Sequence, residues 1–190
     1  VIPHHDIVNG NVTDDDVAKI LNSNNKSLKL AILGNKNLQA HHISAALTDE
    51  DGDVRGAAVR HSNATKEHID KALNDPDRKV RGYGIENPNA TKEHIDKALN
   101  DPEAWVRREA AQHPNLTKEH AIKALTDLDW EVRANAIKNP NITKEHIDKA
   151  LNDPKSGVRS AALKNPNITK EHIDKALNDS NDSVRSAAAE

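Results

Sequence analysis

Residues 63–88 read NATKEHIDKALNDPDRKVRGYGIENP, and the phrase TKEHIDKAL inside this stretch recurs along the chain. It starts at Thr65, Thr91, Thr143 and Thr169, and a variant copy, TKEHAIKAL, starts at Thr117. The starting positions 65, 91, 117, 143 and 169 are separated by a constant step of 26 residues. A fixed period of this size is typical of stacked repeat proteins, in which each unit buries its apolar face against its neighbours.

The first half of the repeat predicts a short helix. Thr65 precedes it as an N-cap, because its hydroxyl accepts a hydrogen bond from a free N–H group of the first turn. Ile69, Ala72 and Leu73 follow at helical spacing and form one apolar stripe. This stripe is the face that we expect to be buried.

The second half predicts another helix. Asp75 is expected as its N-cap and Pro76 as its first residue. Val80 and Ile85 face inward, and the Asn-Pro pair at 87–88 ends the helix, which is predicted to have about three turns. One repeat carries too few apolar side chains to fold alone, so the units must share a core with their neighbours.

The sequence therefore predicts an all-α fold, an α-solenoid of about seven stacked 26-residue helix-turn-helix repeats. Residues 1–36 form a divergent N-terminal capping segment that includes the first repeat, and residues 37–190 form the array, the whole being one continuous solenoid domain. The chain ends inside a predicted helix without a visible cap, which indicates truncation or end-to-end self-association. The predicted units of the array are 37–62, 63–88, 89–114, 115–140, 141–166 and 167–190.

The repeat pattern D-P-x-x-x-V-R-x-x-A, followed by N-P, resembles the leucine-rich repeat variant family and, more loosely, HEAT-like repeats. Asp75-Pro76, Val80-Arg81 and the Asn-Pro pair at 87–88 carry this resemblance. It implies a right-handed superhelix that serves as a binding scaffold. Some members of the family bind an iron–sulfur cluster through cysteines, but this chain has no Cys. We therefore expect no cofactor.

The composition excludes several classes of protein. The 190 residues include no Cys, which excludes disulfides, thiolate metal sites and a cysteine nucleophile. The charged residues make up 30% of the chain, yet the net charge is only -3, so a general polyanion-binding protein is disfavoured. No apolar run is long enough for a membrane span, and no signal-peptide pattern is visible. We expect a cytoplasmic protein without a membrane partner.

An arginine recurs at the same place in every unit of the array, and an aspartate matches it. A row of arginines would suit phosphate groups. Helical geometry instead directs these side chains toward the buried side, where a planar guanidinium pairs best with a carboxylate. We interpret them as a structural ladder consisting of Arg55, Arg81, Arg107, Arg133, Arg159 and Arg185 with Asp75, Asp101, Asp127 and Asp153.

A histidine also recurs once per repeat, at His42, His68, His94, His120, His146 and His172. Metal binding needs several ligands around one ion, whereas one histidine per layer leaves them about 10 Å apart. We expect half-exposed structural histidines and no metal site. The neighbouring pair His41 and His42 suits only adventitious chelation.

The copies differ mainly at outward positions of the second helix, where stacking would align the differences into one surface. Trp105 is predicted to project outward beside Arg108, one layer from Tyr83, and Trp130 to be half buried. Such a Trp–Arg group is typical of a binding hot spot. The candidate binding residues are Lys79, Tyr83, Trp105, Arg108, Glu109, Gln112, Trp130, Glu131 and Asn135.

The favoured function is a non-catalytic repeat scaffold that binds a protein or peptide through this variable face. The alternative is a HEAT-like protein that binds nucleic acid, since Arg, Lys and Trp on a helical array can grip a backbone and stack on bases. A glycosylase-like enzyme is a remote third reading. No nucleophile–base pairing, nucleotide loop or metal cluster is visible, so we predict that the chain is not an enzyme.

Overall fold

The computed structural model describes residues 2–190, and within this range every regular element is an α-helix of six to nine residues. Val1, the first residue of the predicted capping segment, lies outside the described residues. The prediction of an all-α helical repeat fold is confirmed. The helices are α1 (His4–Asn9), α2 (Asp14–Leu21), α3 (Lys26–Leu33), α4 (Ala40–Ala46), α5 (Gly52–Val59), α6 (Lys66–Ala72), α7 (Arg78–Glu86), α8 (Lys92–Ala98), α9 (Ala104–Ala111), α10 (Lys118–Ala124), α11 (Trp130–Ile137), α12 (Lys144–Ala150), α13 (Ser156–Ala162), α14 (Lys170–Ala176) and α15 (Asp182–Ala189).

The repeated phrase forms the first helix of each repeat. Thr65 is the N-cap of α6, and its hydroxyl accepts the N–H of His68, as predicted. Thr117 and Thr169 cap α10 and α14 in the same way. Ile69 is fully buried, which confirms that the apolar stripe faces the core.

The second helix begins later than the sequence predicted. The N-cap of α7 is Asp77, whose side chain accepts the N–H of Lys79 at 2.8 Å. Asp75, the predicted N-cap, instead accepts the N–H of Asp77 at 2.8 Å and lies in the turn before the helix. Because Pro76 also precedes the helix, α7 has nine residues rather than three full turns. The predicted stop is confirmed, since Asn87 is its C-cap.

The chain divides into two compact units, Val1–Ala98 and Leu99–Glu190. In the first unit the second helices α3, α5 and α7 stack in order, with α2, α4 and α6 packed beside them. In the second unit α9, α11, α13 and α15 stack in order, with α10, α12 and α14 beside them. The division falls inside the predicted repeat 89–114, and the predicted single continuous domain and superhelix handedness stay predictions.

The core of each unit is built from small and branched side chains. Val80 and Ile85 of α7 are fully buried, as are Val132 and Ile137 at the same positions of α11. Gly84 lies so close to α6 that an added Cβ would meet the Cβ of Ala72 at 3.0 Å. Small residues therefore let the helices of one repeat approach closely, which positions the turns and outward faces described below.

The helices of residues 2–190 are all too short and too polar to cross a membrane; the longest, α7, has nine residues.

Candidate functional site

The ladder arginines bind aspartates of the following repeat. Arg55 donates Nε to Asp75 Oδ2 at 2.8 Å and Nη2 to Asp75 Oδ1 at 3.0 Å, and its Nη1 donates to the Asp49 carbonyl at 2.8 Å. One guanidinium thus joins the turns of two consecutive repeats. Equivalent links, with Nε–Oδ2 distances of 2.8–2.9 Å, connect Arg107 to Asp127, Arg133 to Asp153, and Arg159 to Asp179.

The other ladder residues also lie in these turns. Arg81 donates to the Asp75 carbonyl at 2.9 Å, and Arg185 donates to the Asp179 carbonyl at 2.6 Å. Asp101 accepts the N–H of Glu103 at 2.9 Å. The first link was missed: Lys29 takes the arginine position and binds Asp49 at 2.7 Å. The step from 29 to 55 is also 26 residues, so the period contained this signal.

The arginine–aspartate links are charge-assisted. Arg159 lowers the pKa of the Asp179 carboxyl by hydrogen bonding, and Asp75 raises the pKa of the Arg55 guanidinium in the same way. In Arg55, Arg107, Arg133 and Arg159 the guanidinium already holds a carboxylate of the chain itself. A phosphate would have to displace that carboxylate, so these four arginines do not favour the nucleic-acid alternative.

The recurring histidines form a second set of links. His172 Nδ1 accepts the N–H of Thr169 at 3.0 Å, so the neutral ring carries its proton on Nε2. That nitrogen lies 2.6 Å from Asp148 Oδ1 of the preceding repeat. His94 makes the same contact with Asp70 at 2.5 Å. Each such imidazole caps its own helix and binds the helix before it.

The prediction of half-exposed histidines is wrong for His42, His68, His94 and His172, which are buried. Burial lowers the pKa of His68, whose Nε2 lies 2.8 Å from Ser44 Oγ. The sequence reasoning treated the imidazole as a side chain at the edge of its own helix. It missed that the ring also packs against, and hydrogen-bonds to, the preceding repeat.

A third set of links comes from the residue before the helix-ending proline, which is an asparagine at Asn87, Asn139 and Asn165. Asn165 is buried, and its Nδ2 donates to the carbonyls of Ile137 at 2.6 Å and Asn139 at 2.9 Å. Its Oδ1 accepts the N–H of Asn167 at 2.8 Å. Histidine replaces the asparagine in two repeats, at His61 and His113, and His61 donates Nε2 to the Asn35 carbonyl at 2.8 Å. The sequence analysis interpreted this residue only as a helix stop.

The candidate residues of the first unit are Lys79 and Tyr83. Lys79 is exposed on α7. Tyr83 is half-buried, and the guanidinium of Arg60 lies 4.7 Å from the centre of its ring, a cation–π contact. The tyrosine ring is therefore partly covered by its own unit.

Arg108 of α9 is not a free cation. Its Nε and Nη2 donate to the two carboxylate oxygens of Asp129 at 3.0 and 2.7 Å, and Nη1 lies 3.6 Å from Glu131. Asp129 is also the N-cap of α11. Arg108 lowers the pKa of Asp129 to about 2. Arg108 and Glu131 thus lie together, but Arg108 already forms ion pairs with Asp129 and Glu131 of the next repeat.

The remaining candidates of α9 and α11 are partly engaged as well. Gln112 donates to Glu109 at 3.0 Å, and Asn135 donates to the Arg108 carbonyl at 3.2 Å. Trp105, predicted to project outward as an exposed side chain, is half-buried. The C-terminal ends of α9 and α11 border a shallow cavity of about 300 Å³, which contains Gln112 and Asn135.

Trp130 and Leu128 form the exposed apolar part of this unit. Trp130, expected to be half buried, is 37% exposed, and Leu128 is 98% exposed. An added Cβ at Gly157 would clash with the indole, so this glycine makes room for the Trp130 ring. Leu128 was missed, although it stands where Pro76, Pro102 and Pro154 stand in other copies.

Three side chains that could coordinate a metal ion lie together in the first unit. The ligand atoms of Asp14, His41 and His42 are within 4.8 Å of one another. His42 Nδ1 accepts the N–H of Gln39 at 3.0 Å, so its Nε2 carries the proton that faces Asp14 at 2.8 Å. An ion would have to displace that proton and break the link. The group is therefore accounted for as another histidine–carboxylate link, and the absence of a metal site stays a prediction.

Comparison with solved structures finds a leucine-rich repeat variant, described as having a novel repetitive protein structural motif, with a TM-score of 0.72. It is 21% identical, and the match covers 94% of this chain and 71% of that chain. At this identity the likeness shows the fold alone. The chain therefore has the fold of a leucine-rich repeat variant.

Two designed armadillo repeat proteins also match, one of them in complex with the peptide (KR)4. Each is 19% identical and covers 92% of this chain, and their own chains are covered to 96% and 95%. Their TM-scores are 0.37 and 0.38, which is too low to identify a shared fold. No protein-family model and no curated protein matches the chain.

Proposed function

We propose that the chain is a non-catalytic repeat scaffold that binds a protein or peptide partner through the variable face of its second helices. The observation that supports this proposal is the pair of exposed apolar side chains Leu128 and Trp130 at the start of α11. Both occupy positions where the other copies carry different residues. Single exposed apolar residues are ordinary, but a Trp and a Leu two residues apart form an apolar patch.

Trp130 is suited to be the anchor of this surface. Tryptophan is enriched among the residues that contribute most to binding energy. Its ring rests on Gly157, so part of its conformational freedom is already lost before a partner arrives. The Arg108–Asp129–Glu131 group beside the start of α11 supplies a polar rim with its charges already oriented.

The centre of the proposed face therefore moves from Trp105 and Arg108 to Trp130 and Leu128. The cavity bordered by Gln112 and Asn135 lies along the same two helices and offers space for a partner side chain. Lys79 and Tyr83 remain candidates on the first unit.

The test compares retention of partners from a lysate of the source organism. In the variant Leu128→Pro with Trp130→Ala, both positions take residues found in other copies, so the fold is expected to persist. Leu177→Ala is a matched control, because Leu177 is also an exposed apolar residue but ends a first helix. We expect partners held by the parent chain and the control to be lost from the double variant. Equal retention by all three proteins contradicts the proposal.

A further inference from the structure

The fifth of the seven repeats, residues 115–140, carries the variant copy of the repeated phrase and departs from the other copies at three nearby positions. Residues 117–126 read TKEHAIKALT where residues 143–152 read TKEHIDKALN. Ala121 thus replaces an isoleucine, Ile122 an aspartate, and Thr126 an asparagine. The contacts of Asp148 and Asn152 in the next repeat show what the aspartate and the asparagine do where they are present.

In the sixth repeat, residues 141–166, both polar residues bind the seventh repeat, residues 167–190. Asp148 accepts a hydrogen bond from His172 at 2.6 Å, and Asn152 Oδ1 accepts one from Lys175 Nζ at 2.7 Å. The first unit repeats this arrangement, with Asp70 bound to His94. The histidine and lysine of one first helix are therefore normally held by the first helix before it.

The fifth repeat offers neither acceptor to the sixth, because Ile122 and Thr126 replace the aspartate and the asparagine. His146 Nδ1 lies 2.8 Å from the hydroxyl of Thr143, and when that hydroxyl donates, the proton of the neutral ring lies on Nε2. Within residues 2–190, neither that Nε2 nor Lys149 Nζ has a hydrogen-bond or ion-pair partner. Thr126 turns its hydroxyl to the Lys123 carbonyl at 2.9 Å. Two donors on one face of α12, three residues apart, are left available.

A cavity of about 220 Å³ lies beside two of the replaced positions, Ile122 and Thr126. Ile122, Leu125, Ala150 and Val158 supply apolar walls, and His146 and Lys149 also line it. Arg133 and Asp153 also line the cavity, but they form an ion pair with each other, with Arg133 Nε 2.8 Å from Asp153 Oδ2. The charge that remains for a ligand is therefore the positive charge of Lys149, which lies beside the apolar wall of the cavity.

The size of the cavity points to one side chain rather than a free cofactor. Pockets for drug-sized ligands have about 300–1,000 Å³, so this one is suited to a single aliphatic group. The unused donors require an acceptor, and a carboxylate satisfies an imidazole N–H and an ammonium at once. The missing aspartate of the repeat shows that the stacked frame accommodates a carboxylate near His146.

We propose that this cavity binds an acidic–aliphatic segment of another polypeptide. A leucine or isoleucine side chain enters between Ile122, Leu125 and Val158. The neighbouring Asp or Glu carboxylate accepts hydrogen bonds from His146 Nε2 and Lys149 Nζ, in place of the acceptors that the fifth repeat lacks. The site lies on the first-helix side and does not depend on the surface formed by Leu128 and Trp130.

The direct test uses short peptides as probes. Acetylated, amidated Gly-Asp-Leu-Gly and Gly-Leu-Asp-Gly are titrated into the full chain at millimolar concentrations while the methyl NMR signals of Ile122, Leu125 and Val158 are recorded. We expect saturable shifts with at least one peptide. Replacing Asp by Asn or Leu by Ser in that peptide should weaken binding about tenfold or more, because a hydrogen bond to a charged group or a buried leucine is lost.

The matched variants keep the fold because they copy neighbouring repeats. Ile122→Asp with Thr126→Asn restores the links to His146 and Lys149, and we expect it to weaken peptide binding about tenfold or more. Conversely, Ile147→Ala, Asp148→Ile and Asn152→Thr together should create a second site beside His172 and Lys175. Absence of peptide shifts in the parent chain, or unchanged affinity in the restored variant, overturns the proposal.

Discussion

Two neighbouring junctions of the second unit share a frame but differ in their polar contacts. Between the sixth and seventh repeats, Arg159 binds Asp179, His172 binds Asp148 and Lys175 binds Asn152. Between the fifth and sixth, Arg133 still binds Asp153, but Ile122 and Thr126 replace the other two acceptors. The second helices α11 and α13 nevertheless stack as α13 and α15 do.

This difference separates the contacts that define the stack from those that can vary. The arginine–aspartate link joins two turns through a carboxylate and a backbone carbonyl, and it occurs at both junctions. The histidine and lysine links join exposed carboxylates and amides of the first helices. Their loss leaves the stacking intact and exposes an apolar cavity.

The largest expected effect is the loss of an arginine–aspartate link. Asp153→Asn and Asp179→Asn each keep the turn hydrogen bond but leave a mostly buried guanidinium without a counter-charge. We expect each to lower the free energy of unfolding by about 3 kcal/mol, measured by guanidinium denaturation. Lys155→Ala, an exposed change in the same turn, should alter it by less than about 0.5 kcal/mol. A much smaller loss of unfolding free energy at one junction would show that the arginine–aspartate link does not stabilise both junctions equally.

The buried asparagine gives a smaller effect. Asn165→Ala removes three hydrogen bonds and leaves buried carbonyls unpaired, so we expect a loss of about 2 kcal/mol. Asn165→His should cost clearly less, because His61 makes the equivalent bonds in another repeat. Equal costs in thermal or chemical denaturation would refute the idea that an imidazole replaces the amide here.

The Arg108–Asp129 link, which neither of the two junctions possesses, predicts a pH dependence. The pKa of Asp129 falls from 3.8 to about 2 in the folded chain, so the link stabilises fully above about pH 4 and its contribution is lost as the pH falls toward 2. The shift corresponds to about 2 kcal/mol. Asp129→Asn keeps the helix cap but should remove this part of the acid destabilisation. An unchanged pH profile of unfolding would contradict the assignment.

The smallest effect comes from the histidine link itself. Ile122→Asp should raise the free energy of unfolding by about 0.5–1 kcal/mol, because the introduced carboxylate would accept a hydrogen bond from His146 but remain exposed to solvent. Asp148→Ile should lower it by a similar amount by releasing His172. If the two variants change stability in the same direction, the links do not explain the difference between the junctions.

The sequence predicted the helix pairs because the caps and apolar stripe of residues 63–88 are local signals repeated at a fixed period. The pairing of Arg55 with Asp75 could also be predicted from the sequence, since a recurring charged residue on the buried side needs a partner of opposite charge. The burial of His172 was not, because it depends on Asp148 of another repeat. The half-burial of Trp105 was also missed, because it depends on neighbouring side chains as well as on the spacing of residues along its own helix.

The most direct test of the account is the proton position of His146 and His172, read from long-range ¹H–¹⁵N NMR spectra of the imidazole rings. We predict that His172 carries a protected Nε2 proton, whereas the Nε2 proton of His146 exchanges freely with water. Ile122→Asp should give His146 the spectrum of His172. A protected Nε2 proton on His146 in the parent chain, or no change on Ile122→Asp, would contradict the claim that this junction is open.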